Sequence, residues 1–382
     1  MKVSIRVAAG LVLANVTAAG TLAQDEAPFS DAVGTDHPKN VYFGDLHLHT
    51  RNSPDAYNEG NTNLSSDVAF QFARGEEIEA HNGMKVRIYR PLDFLAVPDH
   101  GEFLGMSYRL GTKNDQVMNA EWTKANAPWV DEEIGARISG MFVGSILDRN
   151  TERDTIDDDV RQTIWNEVAE SADRHNAPGQ FTTFTAYEFT SMIDGNNLHR
   201  CIIYADGADK TTQMLPFTSI DSLDPEQLWS ALADYEERTG GSVISIPHNS
   251  NISGGMMFDE KTLADEPISR AYAETRMRWE PVVEMTQVKG DSETHPILSP
   301  TDEFADYERW DRYNIMGSHE LTPEQIPGSY VRSAYKRGLE IEAKTGVNPY
   351  AFGMIGSTDG HNTFTTYKEE NFFGKFPSSE PK

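Results

Sequence analysis

The sequence predicts an α/β protein with a mostly parallel sheet, open or closed into a barrel, and three observations lead there. Apolar runs of strand length alternate with segments of helical character. The chain has 382 residues, enough for one large α/β domain or two small ones. Finally, the strand-like runs repeatedly end in histidine and carboxylate residues. In α/β barrels, functional groups sit at the C-terminal ends of strands.

Taken in order, the chain opens with Lys2 and Arg6, an apolar small-residue run from Ala8 to Ala19, and Thr21-Leu22-Ala23. That pattern reads as a cleaved secretory signal over residues 1–23, and the apolar run is too short to span a bilayer. Residues 24–40, polar with Pro28 and Pro38, read as a flexible leader. Val41-Tyr42-Phe43 is the expected end of a short buried strand. A helix is expected over 65–79, entered through Ser65 or Ser66, with Val68, Phe70, Phe72 and Ile78 buried and Arg74-Gly75 interrupting the pattern. Leu92–Val97 is the second strand.

Residues 101–178 are rich in Asn, Asp and Glu and read as an insertion over one mouth of the domain, a lid, with one helix near Val160–Arg174. Strands follow at Phe181–Ala186 and Leu198–Ala205. Asp224-Pro225-Glu226 supplies an N-cap and a proline at the first helical position. Gly240-Gly241 supplies the stop. Ser242–Ile246 is a strand, Ser269–Arg278 a helix, Val282–Val288 a strand, Ser329–Thr345 a helix and Phe352–Ile355 a strand. No interdomain linker and no internal repeat interrupts residues 41–376, which are expected to form a single domain followed by a tail over 377–382.

The chain carries 33 basic and 60 acidic residues, a net charge of −27. Residues 1–23 hold two bases and no acid, so the remainder carries 31 against 60, or −29. Such an excess opposes phosphate backbones and anionic membranes, and neither is expected as a partner. Cys201 is the sole cysteine, so no internal disulfide can form, and an exported chain without one must be held by its core or by metal.

His47 and His49 are two residues apart, so in extended backbone both imidazoles project to one side. Strand-like runs then end in Asp99-His100, Glu188, His248 and Asp359-x-His361. Hard oxygen and imidazole donors at five strand ends point to a polynuclear metal site. Asp194-Gly195 is a hairpin signal. With that pair at the centre of the turn, Thr190 faces His199, and Glu188 becomes the same-face diagonal neighbour of His199.

The order His47-x-His49, Asp55, His100, Glu188, His199, His248, Asp359-x-His361 resembles the polymerase and histidinol phosphatase (PHP) superfamily, over residues 41 to about 365. The wording Asp45-Leu46-His47-Leu48-His49-Thr50, Pro247-His248 and Ser357-Thr358-Asp359-Gly360-His361 is close to that family's. The chain looks most like a secreted bacterial branch that is itself a domain of unknown function. The resemblance implies a distorted (βα)7 TIM-like barrel and three divalent metal ions, Zn, Mn or Fe. It implies that His47, His49, Glu188 and Asp359 hold the first. Glu188 bridges to a second held by His199 and His248, and Asp55, His100 and His361 hold the third. Chains of that branch usually continue further past the Asp-x-His motif; this one ends 21 residues after His361. Gly290 to His295 has no family counterpart; Glu293 and His295 either line the pocket or belong to an ordinary polar loop.

Such metals suit hydrolysis at phosphorus by activated water. Asp99, Arg51 and Arg200 are the candidate catalytic residues, and Arg51, Arg200 and Lys289 the candidate phosphate clamps. Cys201 has no sign of activation, and no Gly-x-Ser-x-Gly elbow is present. The reading is a periplasmic or secreted phosphoesterase of a small organic phosphate. An amidohydrolase-like enzyme opening a lactone, amide or sulfate ester is the alternative, and a non-catalytic metal-binding module a third.

Overall fold

A computed structural model describes residues 40–125 and 156–381. The expected signal and leader, and the centre of the expected lid, lie outside the described residues. Residues from Tyr42 onward form one compact unit. Among the described residues, no helix is long and apolar enough to cross a membrane.

The strands are short and fall into separate small sheets. β1 (Gly44–Asp45), β4 (Phe94–Ala96) and β5 (Thr182–Phe184) pair in parallel in the order β1-β4-β5. Two hairpins precede and follow β5 in the chain: β2 (Ile78–Glu79) with β3 (Lys85–Val86), and β7 (Met192–Ile193) with β8 (Asn196–Asn197). β6 (Ala186–Phe189), β9 (Arg200–Tyr204) and β10 (Val243–Pro247) form an antiparallel sheet in the order β10-β9-β6. β11 (Val282–Gln287) lies between β12 (Gly290–Asp291), antiparallel to it, and β13 (Gly353–Gly356), parallel to it.

The expected closed (βα)7 barrel is therefore wrong: the fold is mixed α/β, and among the described residues no ladder closes the sheets into a ring. The reason is local. A parallel barrel needs a crossover between successive strands. Here Asp194-Gly195 turns the chain straight back, with φ of +54° and +77°, so β6 and β9 run antiparallel. That tight turn favours the left-handed pair that Asp-Gly provides.

The hairpin register agrees with expectation: Met192 pairs with Asn197 and Glu188 with Cys201, which sets Thr190 opposite His199. Other expectations need correction. Tyr42 and Phe43 are exposed, and the strand begins at Gly44. The helix entered at Ser66 stops at Ala73, because Gly75 adopts φ +91°, and Ile78 joins a hairpin instead. Within the expected insertion, three short helices (Met106–Gly111, Asp115–Asn119, Glu121–Ala125) are followed, past residue 155, by a long one. That helix, Asp158–His175, packs on the sheets rather than over a mouth. Its Trp165 is fully buried, edge-on to Tyr187, and donates Nε1–H to the Thr211 carbonyl at 2.8 Å.

Helix Pro225–Thr239 has its Asp224 cap, with the carboxylate accepting from the Glu226 N–H at 2.9 Å, and ends at Gly240 in the left-handed region. Helices Arg270–Trp279 and Val331–Thr345 precede β11 and β13 respectively. The expected tail is docked: buried Glu380 accepts from His81 Nδ1 at 2.6 Å, and the Pro381 carbonyl accepts from Asn82 Nδ2 at 2.6 Å.

Trp165 joins the long helix to the β6–β9 sheet, so Trp165→Ala should destabilise the chain by about 3–5 kcal/mol. Urea unfolding checks this; a loss under 1 kcal/mol on the same scale would mean that the helix is not part of the sheet's core.

Candidate metal centre

The ends of β1, β4, β6, β10 and β13 converge. Two backbone bridges draw them together, Leu48 with Gly360 and His100 with Glu188, both parallel. His49 N–H donates to the Gly360 carbonyl at 2.8 Å, and Glu188 N–H to the Asp99 carbonyl at 3.0 Å. All nine residues singled out as ligands meet there: His47, His49, Asp55, His100, Glu188, His199, His248, Asp359 and His361. Asp55 is part-exposed; the other eight are buried.

Glu188 is the centre. Its Oε1 lies 2.7 Å from His199 Nδ1 and 2.9 Å from His248 Nε2. Its Oε2 lies 3.3 Å from His49 Nε2, 3.3 Å from His100 Nδ1 and 3.5 Å from His47 Nε2. Burial works against its charged form, but His100 and His248 outweigh burial and hold the carboxyl well below the usual range. Asp359 is the second node: its Oδ1 is 3.1 Å from His361 Nε2, 3.3 Å from His49 Nε2 and 3.5 Å from His47 Nε2. Asp55 Oδ2 is 3.0 Å from His100 Nε2 and 3.8 Å from His361 Nε2.

Outside this ring, partners on the far nitrogens orient the imidazoles. His47 Nδ1 meets Glu284 at 3.0 Å, His49 Nδ1 meets Ser53 Oγ at 3.1 Å, and His361 Nδ1 meets Glu59 Oε2. His248 Nδ1 faces Cys201 Sγ at 3.6 Å. Holding Nδ1 turns Nε2 inward, the arrangement that outer carboxylates and hydroxyls give to metal-binding imidazoles. Burial pushes the Cys201 thiol up to about 12, so it stays protonated and is no nucleophile at neutral pH.

The donor set fits divalent cations. Among the described residues, Glu188 Oε2 and His199 Nε2 are buried without a hydrogen bond, although Oε2 has ion-pair contacts with His49 and His100 at 3.3 Å. Burial, and repulsion by His248 and His100, lower His199 to about 3, leaving a neutral imidazole. A carboxylate oxygen without a hydrogen bond and a neutral ring nitrogen in a dry interior are costly unless something binds them. Among the described residues, five overlapping groups of donors lie close enough to share an ion: His47 with His49 and Asp359, Glu188 with His199 and His248, His49 with Asp55 and His361, His49 with His100 and Glu188, and His47 with Cys201, His248 and Glu284.

The other site expectations come out differently. Asp99 is buried, but both its oxygens are taken by Thr50, Oδ1 from N–H at 2.6 Å and Oδ2 from Oγ1 at 2.6 Å. It positions the loop carrying His49 rather than facing a substrate. Arg200 points away from the imidazoles to buried Glu280 at 2.9 Å. Arg51 donates to the Asn63 carbonyl at 3.0 Å and lies 3.8 Å over the Tyr108 ring. Glu293 pairs with Arg332 and His295 with Asp311, the ordinary polar loop.

Lys289 does reach the site, 2.5 Å from Asp359 Oδ2. Sequence reasoning missed Glu284, Glu59 and Lys375. Glu284 had a signal, a lone acid inside the apolar strand Val282–Gln287; Lys375 had none.

Fold and site together define a mixed α/β protein with a buried histidine–carboxylate centre. The chain belongs to the family described as protein of unknown function (DUF3604), whose model matches residues 36–382. No curated protein and no solved structure matches it.

If Glu284 fixes the His47 ring, Glu284→Gln should weaken metal binding by about 10–100-fold. Competition with a fluorescent zinc chelator measures it; an unchanged affinity would remove Glu284 from the centre.

Proposed function

We propose that this protein is a metal-dependent hydrolase, a phosphoesterase acting on a small organic phosphate in the periplasm or outside the cell. One observation carries the reading: a single buried glutamate, Glu188, faces five imidazoles, and its Oε2 makes no hydrogen bond among the described residues. The order of the ligand motifs, which resembles the PHP superfamily, supports the same centre. His47, His49, Glu188 and Asp359 would hold one ion, and Glu188, His199 and His248 a second. Asp55, His100 and His361 would hold a third. Bound there, divalent ions supply Lewis-acid polarisation of a substrate oxygen and make water acidic enough to attack near neutral pH. The chain's own residues do the rest. Glu284, Ser53, Glu59 and Cys201 orient the rings, Thr50 and Asp99 hold the His49 loop, and the surrounding core limits water.

Metal analysis of chain purified without chelator should find close to three transition-metal ions, and Glu188→Gln should lose most of them. At most one ion per chain after reconstitution would overturn the trinuclear reading. Inorganic phosphate and vanadate should inhibit phosphate-ester hydrolysis competitively. Efficient turnover of lactones or amides with indifference to phosphate would replace the phosphoesterase by an amidohydrolase-like enzyme.

Because carboxylates crowd together without cations, EDTA should also lower the melting temperature. Ligand at a hundredfold excess over its dissociation constant stabilises by about 2.7 kcal/mol. An identical melting curve with and without EDTA would show that metal contributes nothing to the fold.

A further inference from the structure

Asp359 is surrounded by more positive charge than one carboxylate needs. Lys289 Nζ lies 2.5 Å from its Oδ2, and Lys375 Nζ donates to its backbone carbonyl at 2.5 Å and lies 3.3 Å from its Oδ1. Gln287 Nε2 also donates to Oδ2, at 2.7 Å, while His47, His49 and His361 crowd Oδ1. The two ammonium groups arrive from different parts of the chain. Lys289 stands in the turn between β11 and β12. Lys375 belongs to the C-terminal segment, whose carbonyl accepts from His361 N–H at 2.7 Å.

Asp359 is fully buried, whereas the Lys289 and Lys375 side chains are 18% and 15% exposed. The lysines therefore lie on the solvent side of the carboxylate. Asp55 and Glu59 share that side, but their oxygens are engaged by His100 and His361.

Two lysines sharing one carboxylate repel each other, and burial adds to that repulsion. The arrangement balances only while Asp359 is the strongest anion near them. A divalent cation drawing on the same Oδ1 as Lys375 takes that negative charge for itself and adds repulsion at short range. Three such cations bring six positive charges and the lysines two more. The acids in and around the ring are Asp45, Asp55, Glu59, Asp99, Glu102, Glu188, Glu284 and Asp359. Loading would thus set eight positive charges against these eight acids and leave the two lysines beside cations instead of beside a free carboxylate.

We propose that Lys289 and Lys375 form a two-pronged anion clamp, holding the negatively charged group of the substrate against the metal centre and resting on Asp359 when no substrate is bound. The proposal rests on the metal-hydrolase reading and narrows its substrates to anions, with a tetrahedral oxyanion such as a phosphate monoester as the best fit. Two ammonium groups flanking one point suit an anion with several acceptor oxygens. A neutral ester or lactone would leave both lysines facing cations with nothing to bind.

The test uses full-length, metal-loaded protein and two variants that keep the aliphatic stem, Lys289→Met and Lys375→Met. Calorimetric titration with inorganic phosphate, sulfate and acetate is read beside metal content. Each single variant should weaken phosphate by about tenfold or more, the size of one charge-assisted contact. Metal content should stay the same and metal affinity stay the same or rise, since a competitor for Asp359 has gone.

Unchanged phosphate affinity in both variants would overturn the clamp. So would loss of metal with the phosphate affinity of the remaining loaded fraction intact, which is what a purely structural pair would give. If wild type prefers sulfate or acetate and the variants lose that preference, the clamp stands and the phosphoesterase reading falls. A wild-type chain that binds metal but none of the three anions overturns the clamp alone, and one that binds no metal overturns both. Lys289→Gln and Lys375→Gln provide the same readings should a methionine variant fail to fold.

Discussion

Glu188 is a fully buried carboxylate with five imidazole rings within 3.5 Å of its oxygens, and the rest of the site follows from keeping that charge inside. An isolated buried carboxylate would cost several kcal/mol, so it must be surrounded by donors or cations. The imidazoles supply those donors, but they are themselves buried and need partners on their other nitrogens. Glu284 provides one for His47, Ser53 for His49, Cys201 for His248, and Asp55 for His100, whose Nε2 it meets at 3.0 Å. One carboxylate at the end of β6 thus sets a requirement that runs outward through two layers of side chains.

The backbone meets the same requirement with left-handed turns beside two of the donors. Asp359 adopts φ +51° and Asn249, next to His248, φ +49°. Asp and Asn enter that region more readily than other non-glycine residues, and surrounding contacts hold them there. For Asp359 those surroundings are visible: its N–H donates to the His47 carbonyl at 2.8 Å, and the Leu48–Gly360 bridge follows immediately. Asp45 tightens the same junction, accepting from Thr358 Oγ1 at 2.5 Å and Thr365 Oγ1 at 2.7 Å. The conspicuous Asp45 next to the first histidine is therefore a clasp between β1 and the chain after β13.

Much of the site was legible because its donors are chemically distinctive and recur where strands end. His47-x-His49, His100, His248 and Asp359-x-His361 announce themselves by residue type. Glu188 and His199 could be joined through the Asp194-Gly195 turn, since a two-residue turn sets every pairing beyond it. The acids and hydroxyls behind the rings were less visible. Glu59 and Ser53 look like any surface residues in a polar loop, and only the folded chain puts them against His361 and His49. The arginines erred in the opposite direction. Proximity in sequence to a ligand suggested Arg200, but neighbours on a strand point to opposite faces, and Arg200 goes to Glu280 while His199 goes to Glu188.

By itself the sequence determined which residues have metal-binding chemistry, where most helices and strands lie, and the pairing of the β6–β9 hairpin. These depend on local physics: side-chain donor type, apolar periodicity, capping and turn conformation. Tertiary structure alone decided that the strands form separate sheets rather than a closed barrel. Beyond the Asp194-Gly195 hairpin, which locally breaks the parallel order, the grouping of the sheets depends on pairings between strands far apart in the chain. It also decided that Lys375 reaches Asp359, across 16 residues of irregular chain. Long-range electrostatic partners are chosen by which surfaces meet, and a lysine carries the same signature in a sequence whether it meets water or a buried carboxylate.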